Sequence, residues 1–290
     1  MIKVDKALEE YHEMTSARLK ASSIFIQSYY VKHLTECFHS LKIKKFSQIN
    51  HDTGYLIISW YRKNTKCKNN SINKNLRYLK AVMGHYEVKS SFLKFKLLKS
   101  DTVPYKRLFH DDLKLIINYV DQMNYSSNSI VYRAVIYLLL DSGCRISELL
   151  NIKIRNIDFD NKRIYLEITK NGKVRYAPFS NFSCDLIKEY IAIYPQRTYL
   201  FYNIIRNREL NKSDIKNFYK RLKKWCDLDR IHSHRLRKTF GSILSENGMP
   251  IESIQTLFDH SRLSTTMIYV EHKKEKALED FDKYANWKVA

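Results

Sequence analysis

Apolar positions recur at helical spacing through most of the chain and switch to strict alternation in one stretch. Ile24, Ile26, Tyr30, Val31, Leu34, Phe38 and Leu41 predict an amphipathic helix. A second is expected from Thr53, with Asp52 as its cap, through Tyr55, Ile58 and Tyr61, and a third after Ser71 through Leu76, Leu79, Val82 and Tyr86. The helical period resumes over residues 111–120 and 129–140, breaks at Gly143, and leaves 145–150 as a short helix with Ser147 near its start. Ile164, Leu166 and Ile168 then alternate with Tyr165 and Glu167, and Val174, Tyr176 and Pro178 continue the alternation. Asn171-Gly172 lies between them, so a β-hairpin with Lys170 beside its turn is predicted. Further helices are expected over 183–194, 212–226 and 234–247, the last stopped by Gly248 and Pro250, then over 251–258 and from Ser264 as N-cap to 270. A tail over 273–284 places Ala277, Leu278, Phe281 and Tyr284 on one side, a helix to be docked at home or offered to a neighbouring protomer.

This pattern gives a mainly α fold with a small antiparallel sheet, in two parts. Residues 1–103 contain no proline and only Gly54 and Gly84, whereas the stretch around 99–107 loses the helical period, carries Pro104 and is basic. The expected division is a helical domain over 1–98, a linker over 99–107 and a second domain over 108–290. Charge adds a partner class. The chain of 290 residues carries 51 Lys and Arg against 30 Asp and Glu, a net +21, which favours a polyanion because each neutralised phosphate releases counterions. Residues 1–100 alone hold 19 basic and 7 acidic residues, so the excess is not a basic tail on a neutral body. Lys63, Lys66 and Lys68, between two predicted helices, and Lys106 and Arg107 in the linker are candidate contacts to it. The five cysteines are scattered, with no Cys-x-x-Cys pair, and predict reduced thiols rather than disulfides or a zinc cluster. Ala134-Val-Ile-Tyr-Leu-Leu-Leu140 is the longest apolar run and is far too short to span a bilayer, so no membrane partner and a cytoplasmic location are expected.

Cutting a phosphodiester without a metal or an energy cofactor needs a nucleophile, cationic donors on the non-bridging oxygens and an acid for the leaving oxygen. Arginine suits the second task, and lysine or histidine the proton transfers. Arg145, Lys170, His234, Arg237, His260 and Tyr269 supply these types in that order. Singly, each has a plainer reading: Tyr269 is one of 21 tyrosines, Arg145 and Glu148 make an ordinary i,i+3 pair, and Lys170 is a solvated hairpin lysine. His232 and His234 have no third partner at metal-binding spacing, so no metal is expected.

The conjunction carries more. Gly143-Cys-Arg-Ile-Ser-Glu-Leu-Leu150 resembles the first arginine box of the tyrosine recombinase, or phage integrase, family, and His234-Arg-Leu-Arg237 its His-x-x-Arg box. Leu257-Phe-Asp-His260, with Tyr269 nine residues on, resembles the histidine and nucleophile box, and the 169–178 stretch resembles the hairpin carrying the family lysine. The resemblance implies a core-type DNA-binding domain and a catalytic domain forming a C-shaped clamp on duplex DNA. It implies Tyr269 as nucleophile forming a 3′-phosphotyrosyl link, Arg145 and Arg237 as phosphate clamps, and Lys170 as acid. His234 then assists proton transfer, His260 hydrogen-bonds the phosphate, and Glu148 orients the site. Lys173, Arg235 and Lys238 become further candidate DNA contacts.

No cofactor is implied. The implied partners are a specific recombination site in double-stranded DNA, bound as a homotetramer on two sites, with room for accessory DNA-bending proteins, in a bacterial, nucleoid-associated setting. The pattern departs from the family at Lys238, where many relatives carry a second histidine, and at Asp259, which replaces a common glycine and sets a negative charge beside a phosphate site. Rival readings are a type IB topoisomerase-like relaxing enzyme and a DNA-binding protein with a decayed site. Integrase, transposon resolvase and Xer-type dimer resolution all stay open. The two-part layout without an arm-binding domain shifts weight toward simple integrases and resolvases.

Overall fold

A computed structural model describes residues 3–101, 107–123, 128–167, 174–193, 195 and 197–267. Lys106, Lys170, Lys173, the Asn171-Gly172 turn, Tyr269 and the expected tail helix lie outside the described residues. The chain divides into two compact units, Met1–Pro104 and Tyr105–Ala290. Among the described residues no helix is long and apolar enough to cross a membrane.

The first unit is helical: α1 (Val4–Ser16), α2 (Ala21–Ser40), α3 (His51–Asn64) and α4 (Asn69–His85). They close on a core that includes Leu8, Leu34, Phe38, Ile57, Tyr61 and Leu79. Three of these helices follow the sequence pattern, and α1 is an addition. It buries only Val4, Ala7 and Leu8, too short a stripe to read from spacing. The cap of α3 is corrected from Asp52 to Asn50, whose side chain accepts from the Thr53 amide at 3.1 Å while Thr53 Oγ1 accepts from the Asn50 amide at 3.0 Å. Helix α4 starts at Asn69, ahead of Ser71. The Asn73 side chain holds both the amide and the carbonyl of Leu98, at 2.9 and 2.8 Å, and Asn69 Nδ2 donates to Lys99 O at 3.0 Å, so the chain stays fastened to α4 into the expected linker.

The second unit is built around α6 (Ser129–Ser142), which is apolar on nearly every side and therefore buried, packed by α5 (His110–Gln122), α8 (Asn181–Ile193) and α10 (Ser233–Glu246). Between α6 and α8 lie α7 (Ile146–Leu149) and an antiparallel sheet of β1 (Ile157–Asp158), β2 (Arg163–Leu166) and β3 (Arg175–Pro178) in that order. In the β2–β3 register Ile164 opposes Ala177, both fully buried, and Leu166 opposes Arg175. β4 (Tyr202–Asn203) pairs with β5 (Arg208–Glu209) ahead of α9 (Lys212–Trp225). After α10 come α11 (Ile251–Phe258) and α12 (Leu263–Thr266), whose N-cap is Arg262 rather than Ser264.

Candidate active site

Three turns meet at the C-terminal end of α11. The first follows α6, where Gly143 takes a left-handed φ of +59° and turns the chain so that Arg145 becomes the N-cap of α7. The second is the start of α10, capped by His232, whose Nδ1 accepts from the Arg235 amide at 3.1 Å. The third is the end of α11, where Asp259 is left-handed at φ +50°. A glycine fits that backbone best, and aspartate is among the few side chains that tolerate it.

A helix C-terminus leaves carbonyls unpaired and carries partial negative charge. Here arginines take them in succession. Arg175 Nη1 donates to Leu257 O at 2.8 Å, Arg237 Nη2 to Phe258 O at 2.6 Å, and Arg145 Nη2 to Asp259 O at 3.0 Å. Arg237 is 1% exposed, donates also to Gly143 O at 2.5 Å, and lies 4.5 Å over the Phe258 ring. Glu148 is the counter-charge. Its carboxylate, with 1% of the side chain exposed, takes Arg145 Nη1 at 2.6 Å, the Arg145 amide at 2.9 Å and Arg175 Nη2 at 2.7 Å, with Arg237 Nη1 4.0 Å away. Burial alone would raise the Glu148 carboxyl, but Arg175, then the hydrogen bonds from Arg145 and Arg175, outweigh it and hold it below the usual carboxylate range. Asp259 Oδ2 lies 3.6 Å from Arg145 Nη1, so the aspartate that departs from the family pattern shares Arg145 with Glu148.

Both histidines lie in this cationic field. Arg237 can only donate, so the 3.2 Å contact makes His260 Nε2 an acceptor and places the ring proton on Nδ1, which donates to Thr266 Oγ1 at 2.9 Å. Desolvation, then Arg237, Arg145 and His234, push His260 down to about 4. His234 is pushed down to about 4 by desolvation, then Lys238, Arg237, His232 and Arg145. Unfolded histidine titrates near 6.5, so on acidification the unfolded chain takes up protons first. These two groups therefore contribute full stability above about pH 6.5, and that contribution falls as pH drops toward about 4. The expected NMR result is that neither imidazole titrates between pH 7 and 5.5 in salt-free buffer, and that sulfate moves both midpoints upward. A midpoint near 6.5 for either one without sulfate contradicts this field.

The sequence-derived residues therefore fall into groups. Arg145, Glu148, Arg237 and His260 are brought into mutual contact, and His234 faces the same charges from the start of α10. Lys238 is half-buried beside them, its ammonium pushed down by burial. Lys63, Lys66 and Lys68 are exposed in the first unit. Arg235, a candidate phosphate contact, is turned into the protein. The residue is 9% exposed, and its guanidinium donates to the carbonyls of Arg230 and, at 3.0 Å, Arg107. Arg107 pairs with Glu246 in the last turn of α10, so its charge is also engaged within the protein. Sequence reasoning missed two features. One is Arg175. The other is an open groove of about 440 Å³ running from His232 and His234 along the Lys212, Lys216, Lys220 and Lys223 face of α9. The i, i+4, i+8 lysine spacing was the available signal for the groove. Among the described residues no group of three His, Cys, Asp or Glu could hold a metal ion.

Comparison with known proteins decides the family. The model described as phage integrase family matches residues 106–276, and the chain is 48% identical to a probable integrase/recombinase of Acholeplasma phage L2 over 98% of both chains. The chain belongs to the phage integrase family. As a member it is an enzyme, a tyrosine site-specific recombinase. A tyrosine recombinase XerA of Thermococcus onnurineus is 28% identical over 94% of each chain. The same fold occurs in the Tn1549 transposon integrase in complex with circular intermediate DNA, with a TM-score of 0.82 and 17% identity over 97% of this chain and 99% of that one. The XerH recombinase bound to its difH substrate gives 0.75 and 18%, over 97% of this recombinase and 85% of that chain.

Proposed function

We propose that this recombinase cuts and rejoins duplex DNA through Tyr269, forming a 3′-phosphotyrosyl link and freeing a 5′ hydroxyl. The observation that carries the reading is the convergence of Arg145 and Arg237 at the end of α11, beside His260 and nine residues before Tyr269 in the chain. Two guanidiniums held by buried partners form a preorganised site for a phosphate oxyanion, and such a site need not reorganise when charge develops in the transition state. Arg145 and Arg237 hold the non-bridging oxygens. Lys170 protonates the leaving oxygen and His234 assists the proton transfer. His260 turns a donor to the phosphate once the anion offsets the arginine field and Nε2 takes up a proton. Glu148 orients the arginines. One phosphodiester replaces another, so rejoining needs no cofactor.

The DNA follows the basic surface, with Lys63, Lys66 and Lys68 of the first unit and the α9 lysine groove of the second as phosphate contacts. Exchange between two sites involves four cleavages, hence a homotetramer on two recombination sites. The test starts from DNA co-purified with the protein, sequenced to define its site and rebuilt as a nicked duplex that traps the covalent intermediate. The expected result is a denaturation-resistant adduct whose tryptic nucleopeptide contains Tyr269. An adduct mapped to another residue, or none on any recovered site, overturns the reading.

A further inference from the structure

We infer that Arg175 is a positioning residue of the recombination reaction, acting through Glu148 and the end of α11 and making no contact with DNA. The inference rests on the phosphate site proposed above. Strand register gives the first reason. Arg175 opposes Leu166 and shares the inward face of β3 with Ala177, so a guanidinium sits where the strand pattern calls for an apolar side chain. A buried cation is tolerated only when paired and hydrogen-bonded. Arg175 meets that condition by spanning two elements, with Nη2 on Glu148 Oε2 at 2.7 Å and Nη1 on Leu257 O at 2.8 Å.

Its neighbours show what this span holds. Glu148 Oε2 also takes the Arg145 amide and Oε1 takes the Arg145 guanidinium, so the carboxylate that aims Arg145 is itself fixed by Arg175. Leu257 lies one residue before the carbonyl that Arg237 takes and three before His260. A single side chain from the sheet thus fixes both the carboxylate behind one phosphate arginine and the helix end under the other. Both terminal nitrogens are spent on protein and 8% of the side chain is exposed, against 20% for Arg145. Charge gives an independent reason. Without Arg175, Glu148 would answer to Arg145, with Arg237 at 4.0 Å, and would draw Arg145 away from an incoming phosphate. Lysine cannot replace it fully, because a point donor does not reach two acceptors in the fixed directions of a guanidinium fork.

The experiment is single-turnover adduct formation on the nicked duplex defined above, with duplex concentration varied. For Arg175→Met the maximal rate is expected to fall about 10- to 100-fold, the scale of a small misplacement of reacting groups, while the half-saturating duplex concentration stays within about twofold. Arg175→Lys should recover part of the rate. In a Glu148→Gln background, Arg175→Met should cost no more than about threefold further, because coupled residues are not additive. Denaturant unfolding accompanies each variant, and if the Met variant shows no cooperative transition, the Lys variant is carried through the same measurements. An unchanged maximal rate, a loss confined to half-saturation, or an equal cost in the Glu148→Gln background overturns the inference. Wild-type protein that forms no adduct overturns the tyrosine reading and this inference with it. Wild-type protein that reacts while the Arg175 variants match it overturns this inference alone.

Discussion

Arg237→Ala is expected to lower the rate of covalent adduct formation by at least ~10³-fold and to destabilise the second unit by about 3–5 kcal/mol. Removing one preorganised donor from an oxyanion site typically costs ~10²–10³ in rate. Beyond the phosphate contact proposed for it, the Arg237 guanidinium ties Gly143 O to Phe258 O across the site and stacks on the Phe258 ring. Alanine leaves Gly143 O without that donor, leaves Phe258 O with Arg145 at 3.5 Å, and takes one of three guanidiniums from beside a buried Glu148. The His260 midpoint should also rise, since Arg237 is the largest charge holding it down. Arg237→Lys keeps the charge but loses the planar fork whose two separate nitrogens reach Gly143 O and Phe258 O, so it should fall between alanine and wild type in both measurements. Single-turnover kinetics and denaturant unfolding read the two effects separately. An alanine variant within tenfold of the wild-type rate contradicts the clamp role.

How much of this was legible in the sequence depends on whether the information is local. Helix α6 announced itself as a continuous apolar run, α9 and α11 ended within a residue of the positions that spacing predicts, and alternation located β2 and β3. β1, β4 and β5 have two residues each, too few to show a period. The cap of α3 was misplaced by two residues because Asn50 and Asp52 are equally good caps, and the reciprocal bond with Thr53 decides between them.

The site divides in the same way. Arg145, Glu148, His234, Arg237 and His260 could be named because their order and spacing match a family pattern. What they touch could not be named, since α7, α10 and α11 meet only through the tertiary fold. Arg235 shows the limit most directly. Two positions from Arg237 it should face away from it, and a polar, outward position was the natural expectation. Helix α10 is buried on several sides, however, so Arg235, Leu236, Arg237 and Thr239 are all inside. Arg175 failed for the opposite reason. Its significance comes from strand register and from Leu257, 82 residues away in sequence, and a single arginine near a hairpin gives no sign of either. Asp259 was read as a charge, and the backbone adds a second meaning: the residue ends α11 in the left-handed region while its carboxylate reaches Arg145.

Gly143→Ala should be the most damaging substitution that leaves every chemistry-bearing side chain in place. Gly143 ends α6 at φ +59°, where an added Cβ costs about 1 kcal/mol in backbone strain. That Cβ would also lie 2.3 Å from Phe258 Cε1 and 2.9 Å from Phe240 Cδ1. Neither ring can yield easily. Phe240 and Phe258 pack on each other with centroids 5.8 Å apart, and Phe258 also contacts the His260 ring and underlies the Arg237 guanidinium. Overpacking of this kind adds roughly 1–3 kcal/mol, so a total loss of about 2–4 kcal/mol is expected in denaturant unfolding. The functional loss should be larger than stability alone explains, because relieving the clash moves the ring under Arg237 and the carbonyls that Arg237 and Arg145 hold. We expect folded Gly143→Ala protein to bind its duplex while forming adduct at least about 100-fold more slowly. A folded variant that reacts at the wild-type rate would show that the end of α11 can shift without moving the phosphate site, and would separate the arginines from the helix they cap.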